Sequence, residues 1–283
     1  NSSPAHVFPL PATWRYYTEN ISRIRSRWPM NITPPIGYEQ IIPLSKEHRV
    51  RLPRVEEVPP AFHRLHAIPL SLAEFRPASR DYPIVFVSGD AKERFTTVAV
   101  LGLQGQQNLF VMTDGSWDRR AYLPAYVRRY PFCMAKVTMN GEILPERLVC
   151  VENAALGEKG EILYDSEGQA QPHWAALEKL IFDYENDLAR SEELCKLLME
   201  FKLLEPFSMK AEIDGFTMQL EGMHRVSEEA LTALNDEQLR RLLSAGVLEK
   251  IYAHLTSLDN FHRLLNRRSF FALKAPAKQQ DLN

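Results

Sequence analysis

Residues 114–132, here called the aromatic-arginine stretch, concentrate side chains that can bind an anionic or planar group. The stretch contains one Trp, three Tyr and one Phe, together with two pairs of adjacent arginines. A guanidinium among aromatic rings can stack on them and hold a carboxylate through two parallel hydrogen bonds. The same composition also suits a core seam whose arginines reach solvent. The predicted binding residues are Asp114, Trp117, Tyr122, Tyr126, Arg128, Arg129 and Tyr130.

Turn and proline signals indicate the local structure that positions these side chains. Asp114-Gly115 is typical of a tight turn, and it follows an apolar run at residues 108–112 that predicts a strand. Pro124 predicts a single helical turn that carries Tyr126 inward, and Pro131 ends that turn. The binding side chains are therefore expected on a short turn between irregular segments.

Arg128 and Arg129 carry the binding hypothesis. Because neighbouring residues on a turn or strand point in different directions, at most one of them is expected to face a given pocket. The alternative is an internal salt bridge from either arginine, for example to Asp114 or Asp118. Composition alone slightly favours a structural role over binding.

Histidine pairs are a second kind of candidate site. His63 and His66 have the spacing that places two imidazoles on one side of a helix, as a metal site needs. Pro59-Pro60 and Pro69 oppose a regular helix, and no carboxylate or cysteine lies at ligand spacing. We therefore predict no metal site.

Two further pairs lie in the second half of the chain. His254 and His262 would share one face of an unbroken helix, but a break is predicted at Thr256-Ser257, with Ser257 capping the next helix. We expect one packed and one solvent-facing histidine. Asp183 and Asp187 lie one turn apart and would share a proton or a cation if buried, but the favoured interpretation is a solvated acidic face.

The sequence lacks the motifs that usually identify an enzyme. It has no glycine-rich dinucleotide or phosphate loop, no His-Glu-x-x-His, no paired Cys-x-x-Cys and no Gly-x-Ser-x-Gly. A catalytic site would have to be assembled from residues far apart in the sequence. We therefore predict no cofactor and favour a binding protein over an enzyme.

Composition and charge are those of an ordinary globular chain. Its 283 residues have a formal net charge of −2, which gives no general attraction to nucleic acid or anionic membrane. No apolar run approaches the roughly 20 residues needed to span a bilayer, and the start has no apolar signal core. Cys133, Cys150 and Cys195 have no paired spacing, which is typical of buried thiols in a reducing compartment. We predict a soluble, cytoplasmic protein, and the composition permits an oligomer.

Hydrophobic periodicity changes from strand-like to helical near residue 170. Residues 61–170 contain short apolar runs between turn signals, and residues 171–270 contain helical patterns interrupted by a hairpin around Asp214-Gly215. This predicts an α+β fold with a mixed or mainly antiparallel sheet and a C-terminal helical region. We expect residues 61–270 to form one domain, in which the hairpin extends the sheet of the strand-rich part.

Helix-start signals occur throughout this region. Ser71-Leu-Ala-Glu74 is a capping box flanked by Leu70 and Phe75, so it predicts a short helix. Further helix starts are predicted at Pro172, Ser191, Ser227 and Asn235, and Gly246 is predicted to stop the last of these helices.

The two ends of the chain are predicted to lie outside this domain. Residues 1–60 are expected to be a proline-rich arm. Residues 13–28 within it show aromatic residues at helical spacing and arginines on the other face. Such a helix suits either a partner or anionic surface, or packing on its own domain. Residues 271–283 are expected to be a loose tail.

The aromatic-arginine stretch also carries a family signature in Trp117, Tyr122-Leu-Pro-Ala-Tyr126 and Arg128-Arg-Tyr-Pro-Phe132. Other segments follow in order between about residues 38 and 268, including Ile42-Pro-Leu44, Ile68-Pro-Leu70, Tyr82-Pro-Ile-Val-Phe86 and Leu163-Tyr-Asp165. Together they resemble the SapC family of bacterial proteins, named for an S-layer-associated protein. The resemblance implies no established reaction. It implies a setting in surface-layer assembly or outer-membrane nutrient uptake, because SapC-like proteins are often encoded near outer-membrane receptors.

The favoured function is a non-catalytic accessory protein that binds a protein or peptide partner through the aromatic-arginine stretch and the proline-rich arm. A second hypothesis is an enzyme or enzyme subunit acting on a peptide or small-molecule carboxylate. In that case Arg128 or Arg129 would anchor the carboxylate of the substrate. One of four histidines would transfer protons to or from the substrate: His48, His63, His66 or His254. A third is a structural surface-layer subunit. Nucleic-acid binding is the least favoured.

Overall fold

A computed structural model describes residues 30–54, 57–89, 94–139, 142–143, 147–213 and 216–274. The predicted helix at residues 13–28 and the Asp214-Gly215 turn signal lie outside this part of the chain. The last helix ends at Lys274, so it extends four residues into the segment predicted to be a loose tail.

Strands predominate before residue 170 and helices after it, apart from one long hairpin. The described strands are β1 (Met30–Ile32), β2 (Ile41–Pro43), β3 (Arg49–Val50), β4 (Ala67–Pro69), β5 (Ile84–Ser88), β6 (Phe95–Val100), β7 (Phe132–Ala135), β8 (Val137–Met139), β9 (Glu142–Ile143), β10 (Leu148–Glu152), β11 (Glu161–Ile162), β12 (Leu204–Ile213) and β13 (Phe216–Val226). The described helices are α1 (Phe75–Ala78), α2 (Ala125–Arg128), α3 (Pro172–Glu200), α4 (Glu228–Thr232), α5 (Asp236–Ser244), α6 (Val247–Ser257) and α7 (Asn260–Lys274). Every strand pair in the described ranges is antiparallel. The predicted α+β class is confirmed.

The chain divides into two compact units, and each unit is made of two separate segments. Unit 1 comprises Asn1–Pro53 and Arg129–Phe182, and unit 2 comprises Arg54–Arg128 and Asp183–Asn283. These units differ from the two consecutive halves, strand-rich and helical, that the sequence suggests. That residues 61–270 act as one domain stays a prediction.

Unit 1 is organised around β10, which pairs with β2 on one side and β7 on the other. All five residues of β10 are buried, as expected for a central strand. Phe132 packs on Trp174 with ring centres 4.6 Å apart, which joins the start of α3 to this sheet. The unit 1 core comprises Ile42, Leu44, Val50, Phe132, Val149, Val151, Ala155, Leu163, Tyr164, Trp174 and Ile181.

Two of the three cysteines face each other in unit 1. The register of β7 and β10 places Cys133 opposite Cys150, and both are fully buried. Cys195 is buried as well, so the prediction that the cysteines are buried hydrophobic residues is confirmed. Burial raises the pKa of the Cys150 thiol, and burial likewise raises that of Cys195 to about 12. The sequence spacing did not reveal the pairing because β8 and β9 lie between the two strands.

Unit 2 contains a five-stranded sheet in the order β12-β13-β5-β6-β4. The hairpin of β12 and β13 joins it where Met223 pairs with Val87 and His224 pairs with Phe86. The prediction that the hairpin extends the sheet is therefore confirmed. Ile84, Val85 and Phe86 of β5 are buried, as expected for a strand inside the sheet.

Residues 108–112 were predicted to form a strand, and that prediction is wrong. They form a turn followed by a single bridge between Val111 and Trp117. The Asn108 side chain explains the difference, because its Oδ1 accepts from the Phe110 N–H at 3.0 Å and its Nδ2 donates to the Phe62 carbonyl at 3.0 Å. These side-chain bonds take the place of those of a strand ladder.

One long helix, α3, stands where the sequence predicts two. Pro172 opens it as predicted, but Ser191 lies inside it and does not cap a second helix. The Ser191 hydroxyl instead donates to the Asp187 carbonyl one turn earlier, at 2.9 Å. A hydroxyl that bonds back in this way is compatible with a helix interior.

The later caps form as predicted. The Ser227 hydroxyl accepts from the Ala230 N–H, and Asn235 and Gln238 form a capping box at the start of α5. Gly246 has a φ of 66°, which a glycine adopts without steric cost.

His254 and Ser257 fasten α6 to the sheet. Because His254 Nε2 accepts from the Val226 N–H at 3.0 Å, its Nδ1 carries the proton and donates to the Ile84 carbonyl at 2.7 Å. The Ser257 hydroxyl accepts from the Ile84 N–H at 2.9 Å. Ser257 is the last residue of α6. The prediction that it caps the next helix is wrong. The prediction of one packed and one exposed histidine is confirmed, because His254 is buried and His262 is exposed.

Protonation of His254 should destabilise the fold at acidic pH. Burial lowers its pKa from 6.5 to about 4, so between these pH values the unfolded chain binds a proton that the folded chain does not. Stability should therefore fall as pH drops from about 6.5 to about 4, by up to about 3 kcal/mol. Urea unfolding at a series of pH values measures the effect.

A matched pair of variants separates the contribution of His254 to the pH dependence from that of an exposed histidine. His254→Gln should lose this part of the pH dependence, whereas His262→Gln, changed at an exposed site on α7, should keep it. A His254→Gln protein with the wild-type pH dependence would contradict the assignment.

Candidate functional site

A buried carboxylate, that of Glu74, lies at the centre of the candidate site in unit 2. The predicted capping box forms, because Glu74 Oε2 accepts from the Ser71 N–H at 3.2 Å and from its hydroxyl at 2.9 Å. The other oxygen, Oε1, accepts from the Tyr122 hydroxyl at 3.0 Å and from the Ala125 N–H at 2.6 Å. Glu74 is only 4% exposed, so these four donors replace its water shell.

The predicted helix at this carboxylate is confirmed. A 3₁₀ turn at Leu72–Glu74 continues into α1, and the flanking residues Leu70 and Phe75 are fully buried. Asp187 of α3 adds a second carboxylate at the start of the turn, since it accepts from the Ala73 N–H and from Arg190 Nη1 at 3.2 Å. Asp183 is exposed, so the two aspartates do not form a buried pair.

The backbone of Tyr122 forms hydrogen bonds as well as its side chain. Its N–H donates to Asp81 Oδ2 at 2.9 Å. Its carbonyl accepts from the Tyr82 hydroxyl and from Trp117 Nε1, the latter at 3.2 Å. Hydrogen bonds therefore hold both the backbone and the hydroxyl of Tyr122.

Arg128 lies at the surface above this ring. Its Nη2 donates to the Tyr122 hydroxyl at 3.3 Å, and its guanidinium carbon lies 5.9 Å from the ring centre. Arg128 is the last residue of α2, whose first turn is closed by a bond from the Arg128 N–H to the Pro124 carbonyl. Burial, followed by the charge of Glu74, raises the pKa of Tyr122 to about 12, so its hydroxyl stays protonated.

The predicted helical turn after Pro124 is confirmed, and Tyr126 and Val127 point inward. Tyr126 stacks on Phe62 with ring centres 5.9 Å apart, and it meets the Tyr184 ring edge-on at 6.3 Å. Tyr126 is therefore a core residue that anchors α2.

Trp117 packs in the core, and Asp114 stabilises a tight turn. Trp117 is 1% exposed and stacks on Phe110 with ring centres 6.0 Å apart. Asp114 is exposed, and its Oδ1 accepts from both the N–H and the hydroxyl of Ser116, at 2.9 and 2.7 Å. These hydrogen bonds lower the pKa of Asp114 and hold the predicted tight turn, in which Gly115 has a φ of 80°.

Arg129 and Tyr130 belong to unit 1, although they follow Arg128 directly. Arg129 is 2% exposed, and its guanidinium carbon lies 5.9 Å from the Tyr38 ring. Tyr130 is half-buried against the same ring, with centres 5.5 Å apart. The opposite burial of Arg128 and Arg129 agrees with the expectation that the two side chains point in different directions. Of the predicted residues, Tyr122 and Arg128 are the pair in direct contact at an exposed site.

A family model with the description SapC matches residues 45–264. The chain belongs to the SapC family. No curated protein matches the sequence, and no solved structure matches it either. The region matched to SapC contains Glu74, Tyr122 and Arg128, and it begins after the first 44 residues. These three residues therefore lie within the family region of this SapC protein.

Two ion pairs of this SapC protein, both made by Asp118, were not predicted. Asp118, considered from sequence only as a partner for Arg128 or Arg129, bonds Arg120 at 3.1 Å and Arg267 of α7 at 2.9 Å. Burial opposes the charge of Asp118, but the hydrogen bonds from both arginines lower its pKa to about 2. Arg267 also lies 4.2 Å from the Phe110 ring centre. No local sequence signal connects Asp118 to Arg267, which lies far along the chain.

His63 and His66 differ in their surroundings. His63 Nε2 lies 3.0 Å from the Val58 carbonyl oxygen, and His66 is exposed. Within the described ranges, no group of three or more His, Cys, Asp or Glu side chains is placed to hold a metal ion. No helix in the same ranges is long and apolar enough to cross a membrane.

Replacing the central carboxylate should destabilise unit 2. Glu74→Gln keeps the shape, but its amide group would face N–H and O–H donors that need an acceptor. We expect the free energy of unfolding to fall by about 3 kcal/mol, measured by urea unfolding.

Glu158→Gln is the matched control, because Glu158 is exposed. This substitution should change the free energy of unfolding by no more than about 0.5 kcal/mol. Equal stabilities of the two variants would contradict the role assigned to Glu74.

Proposed function

We propose that the protein is a non-catalytic accessory protein that binds a protein or peptide partner, and that Arg128 receives an acidic group of that partner. The observation that carries the proposal is the fixed position of an exposed guanidinium. Arg128 is held by Tyr122, and Tyr122 is held by the buried Glu74 carboxylate. A side chain that is already ordered loses less entropy when it binds a ligand.

The chemistry of Arg128 favours an oxygen anion. The guanidinium has five N–H groups in a rigid plane, and one of them is used by the Tyr122 hydroxyl at 3.3 Å. The others can bind a carboxylate through two parallel hydrogen bonds. The Tyr122 ring beneath the guanidinium limits its motion and shields one of its faces from water.

The other residues of the predicted site have supporting roles in this proposal. Trp117 and Tyr126 are buried and hold the segments on either side of Tyr122. Asp114 orders the turn before Trp117 through its bonds to Ser116. Arg129 and Tyr130 order the neighbouring segment of unit 1 around Tyr38.

We place this binding in surface-layer assembly or outer-membrane nutrient uptake. Membership in the SapC family supports this setting, because the family takes its name from an S-layer-associated protein. The gene neighbourhood of SapC-like proteins, near outer-membrane receptors, supports it as well.

The enzyme hypothesis stays the alternative, and exposed His66 is one of its four candidate histidines. It requires a histidine that can exchange protons with a bound carboxylate substrate. His254 is buried, with both ring nitrogens bonded to backbone groups. His48 Nδ1 accepts from the Ser45 N–H at 3.1 Å, and His63 lies against the Val58 carbonyl.

Removing the guanidinium should weaken partner binding. We expect Arg128→Ala to reduce the affinity at least about tenfold, because a charged hydrogen bond is lost at the interface. Tyr122→Phe should weaken binding less, since it releases the guanidinium without removing it. Partners would be captured from source cells, identified by mass spectrometry and then titrated by calorimetry.

Arg64→Ala is the control, because Arg64 is also an exposed arginine of unit 2. It should retain the same partner with wild-type affinity. A partner that binds wild-type protein and Arg128→Ala equally would overturn the proposed role of Arg128.

A further inference from the structure

Arg80 and Arg263 are exposed and lie at the C-terminal end of α1. Arg80 follows α1 by two residues, and its Nε donates to the Pro77 carbonyl at 3.3 Å. Nη1 of Arg263, on α7, donates to the Arg80 carbonyl. The last carbonyls of a helix have no partner inside it, so side chains commonly bond them. These contacts hold both guanidiniums at the same end of α1.

Asp118 brings Arg120 close to the same place. Its carboxylate bonds Arg120 at 3.1 Å and Arg267 at 2.9 Å. Arg267 lies one turn after Arg263 on α7, so these two side chains share a face of that helix. The Arg120 side chain is 81% exposed. Arg120 and Arg263 therefore lie near each other at the surface of unit 2.

Tyr122 connects these arginines to Arg128. Its N–H donates to Oδ2 of Asp81, the residue after Arg80, at 2.9 Å. Its hydroxyl, at the other end of the residue, donates to Glu74, which directly precedes α1, and accepts from Arg128. Tyr122 therefore runs along α1, with Arg80 near its backbone and Arg128 at its hydroxyl.

We call Arg80, Arg120, Arg128 and Arg263 the arginine surface. Within the described ranges, Arg80, Arg128 and Arg263 form no ion pair with a carboxylate, because their acceptors are backbone carbonyls and a tyrosine hydroxyl. Together with Arg267, the surface contains five arginines, and its direct contacts include three carboxylates: Glu74, Asp81 and Asp118. This leaves an excess of two positive charges on a chain whose formal net charge is −2.

The guanidiniums of Arg80 and Arg263 keep N–H groups for a ligand. A guanidinium has five N–H groups, and the contacts above use one from each of these arginines. The others can bind a carboxylate through two parallel hydrogen bonds. Because two neighbouring cations repel each other, an anion bound between them also removes an unfavourable interaction.

We propose that the arginine surface binds an acidic segment of the partner protein, with carboxylates several residues apart. One carboxylate binds Arg128, and another binds Arg80 and Arg263 near the backbone end of Tyr122. This inference rests on the proposed function, because it extends the site of Arg128 along α1. It also defines the partner, since an uncharged or basic segment would leave the excess positive charge unmatched.

The aromatic residues near this surface favour a protein over a nucleic acid. Proteins that bind single-stranded nucleic acid usually stack the bases on exposed aromatic rings. Trp117 and Tyr126 are buried, and the guanidinium of Arg128 lies over the Tyr122 ring. These rings therefore offer no open face for a base.

A peptide of six glutamates with blocked ends tests the arginine surface by isothermal calorimetry. Wild-type protein should bind it saturably with one peptide per chain, and the affinity should fall as salt concentration rises. Arg80→Gln combined with Arg263→Gln should weaken binding at least about tenfold, because two charged hydrogen-bond donors are lost. A glutamine amide can still donate an N–H, so each substitution keeps a group that can bond the carbonyl.

Arg54→Gln combined with Arg64→Gln is the matched control. It removes the same charge from two other exposed arginines of unit 2, and it should bind the glutamate peptide like wild type. Arg80→Gln alone should also weaken binding. It leaves the contact with α7 intact, because Arg263 bonds the Arg80 backbone carbonyl.

Three results would overturn the inference. They are wild-type protein that does not bind the glutamate peptide, wild-type affinity in both the Arg80→Gln variant and the double variant with Arg263→Gln, and tighter binding of a six-nucleotide thymidine strand than of the peptide. None of them removes the role proposed for Arg128, which depends on the separate titration of the captured partner.

Discussion

The arrangement of the candidate site depends on keeping one buried negative charge solvated by protein donors. A carboxylate removed from water is costly unless hydrogen bonds replace its water shell. Glu74 obtains four such bonds, two from Ser71, one from the Tyr122 hydroxyl and one from the Ala125 N–H. Through these bonds the carboxylate joins the start of α1 to Tyr122 and Ala125, which precede Arg128 in the chain.

Only the local half of this arrangement could be predicted. The capping box of Ser71 and Glu74 follows from a four-residue motif, and the opposite burial of Arg128 and Arg129 follows from strand and turn geometry. The donors Tyr122 and Ala125 come from 48 and 51 residues further along the chain. A single sequence has no signal for a hydrogen bond across that distance.

The wrong predictions have the same origin. In each case a side-chain hydrogen bond that the sequence pattern does not show determines the local structure. Ser191 has the composition of a helix cap, but its hydroxyl bonds back to Asp187 and the helix continues. The apolar run at residues 108–112 fits a strand, but the Asn108 side chain bonds the backbone of Phe110 and that of Phe62. The antiparallel α+β class was predictable because it depends on periodicity summed over many residues.

The most direct test of the central claim is a double-mutant cycle on the free energy of unfolding, with Glu74→Gln, Tyr122→Phe and the double variant. If the hydroxyl of Tyr122 stabilises the fold through the Glu74 carboxylate, the losses in free energy of unfolding caused by the two substitutions should not be additive. The coupling energy should then be about 1 kcal/mol or more. Strictly additive effects would mean that the two side chains act independently. The position of Arg128 would then not depend on the buried carboxylate.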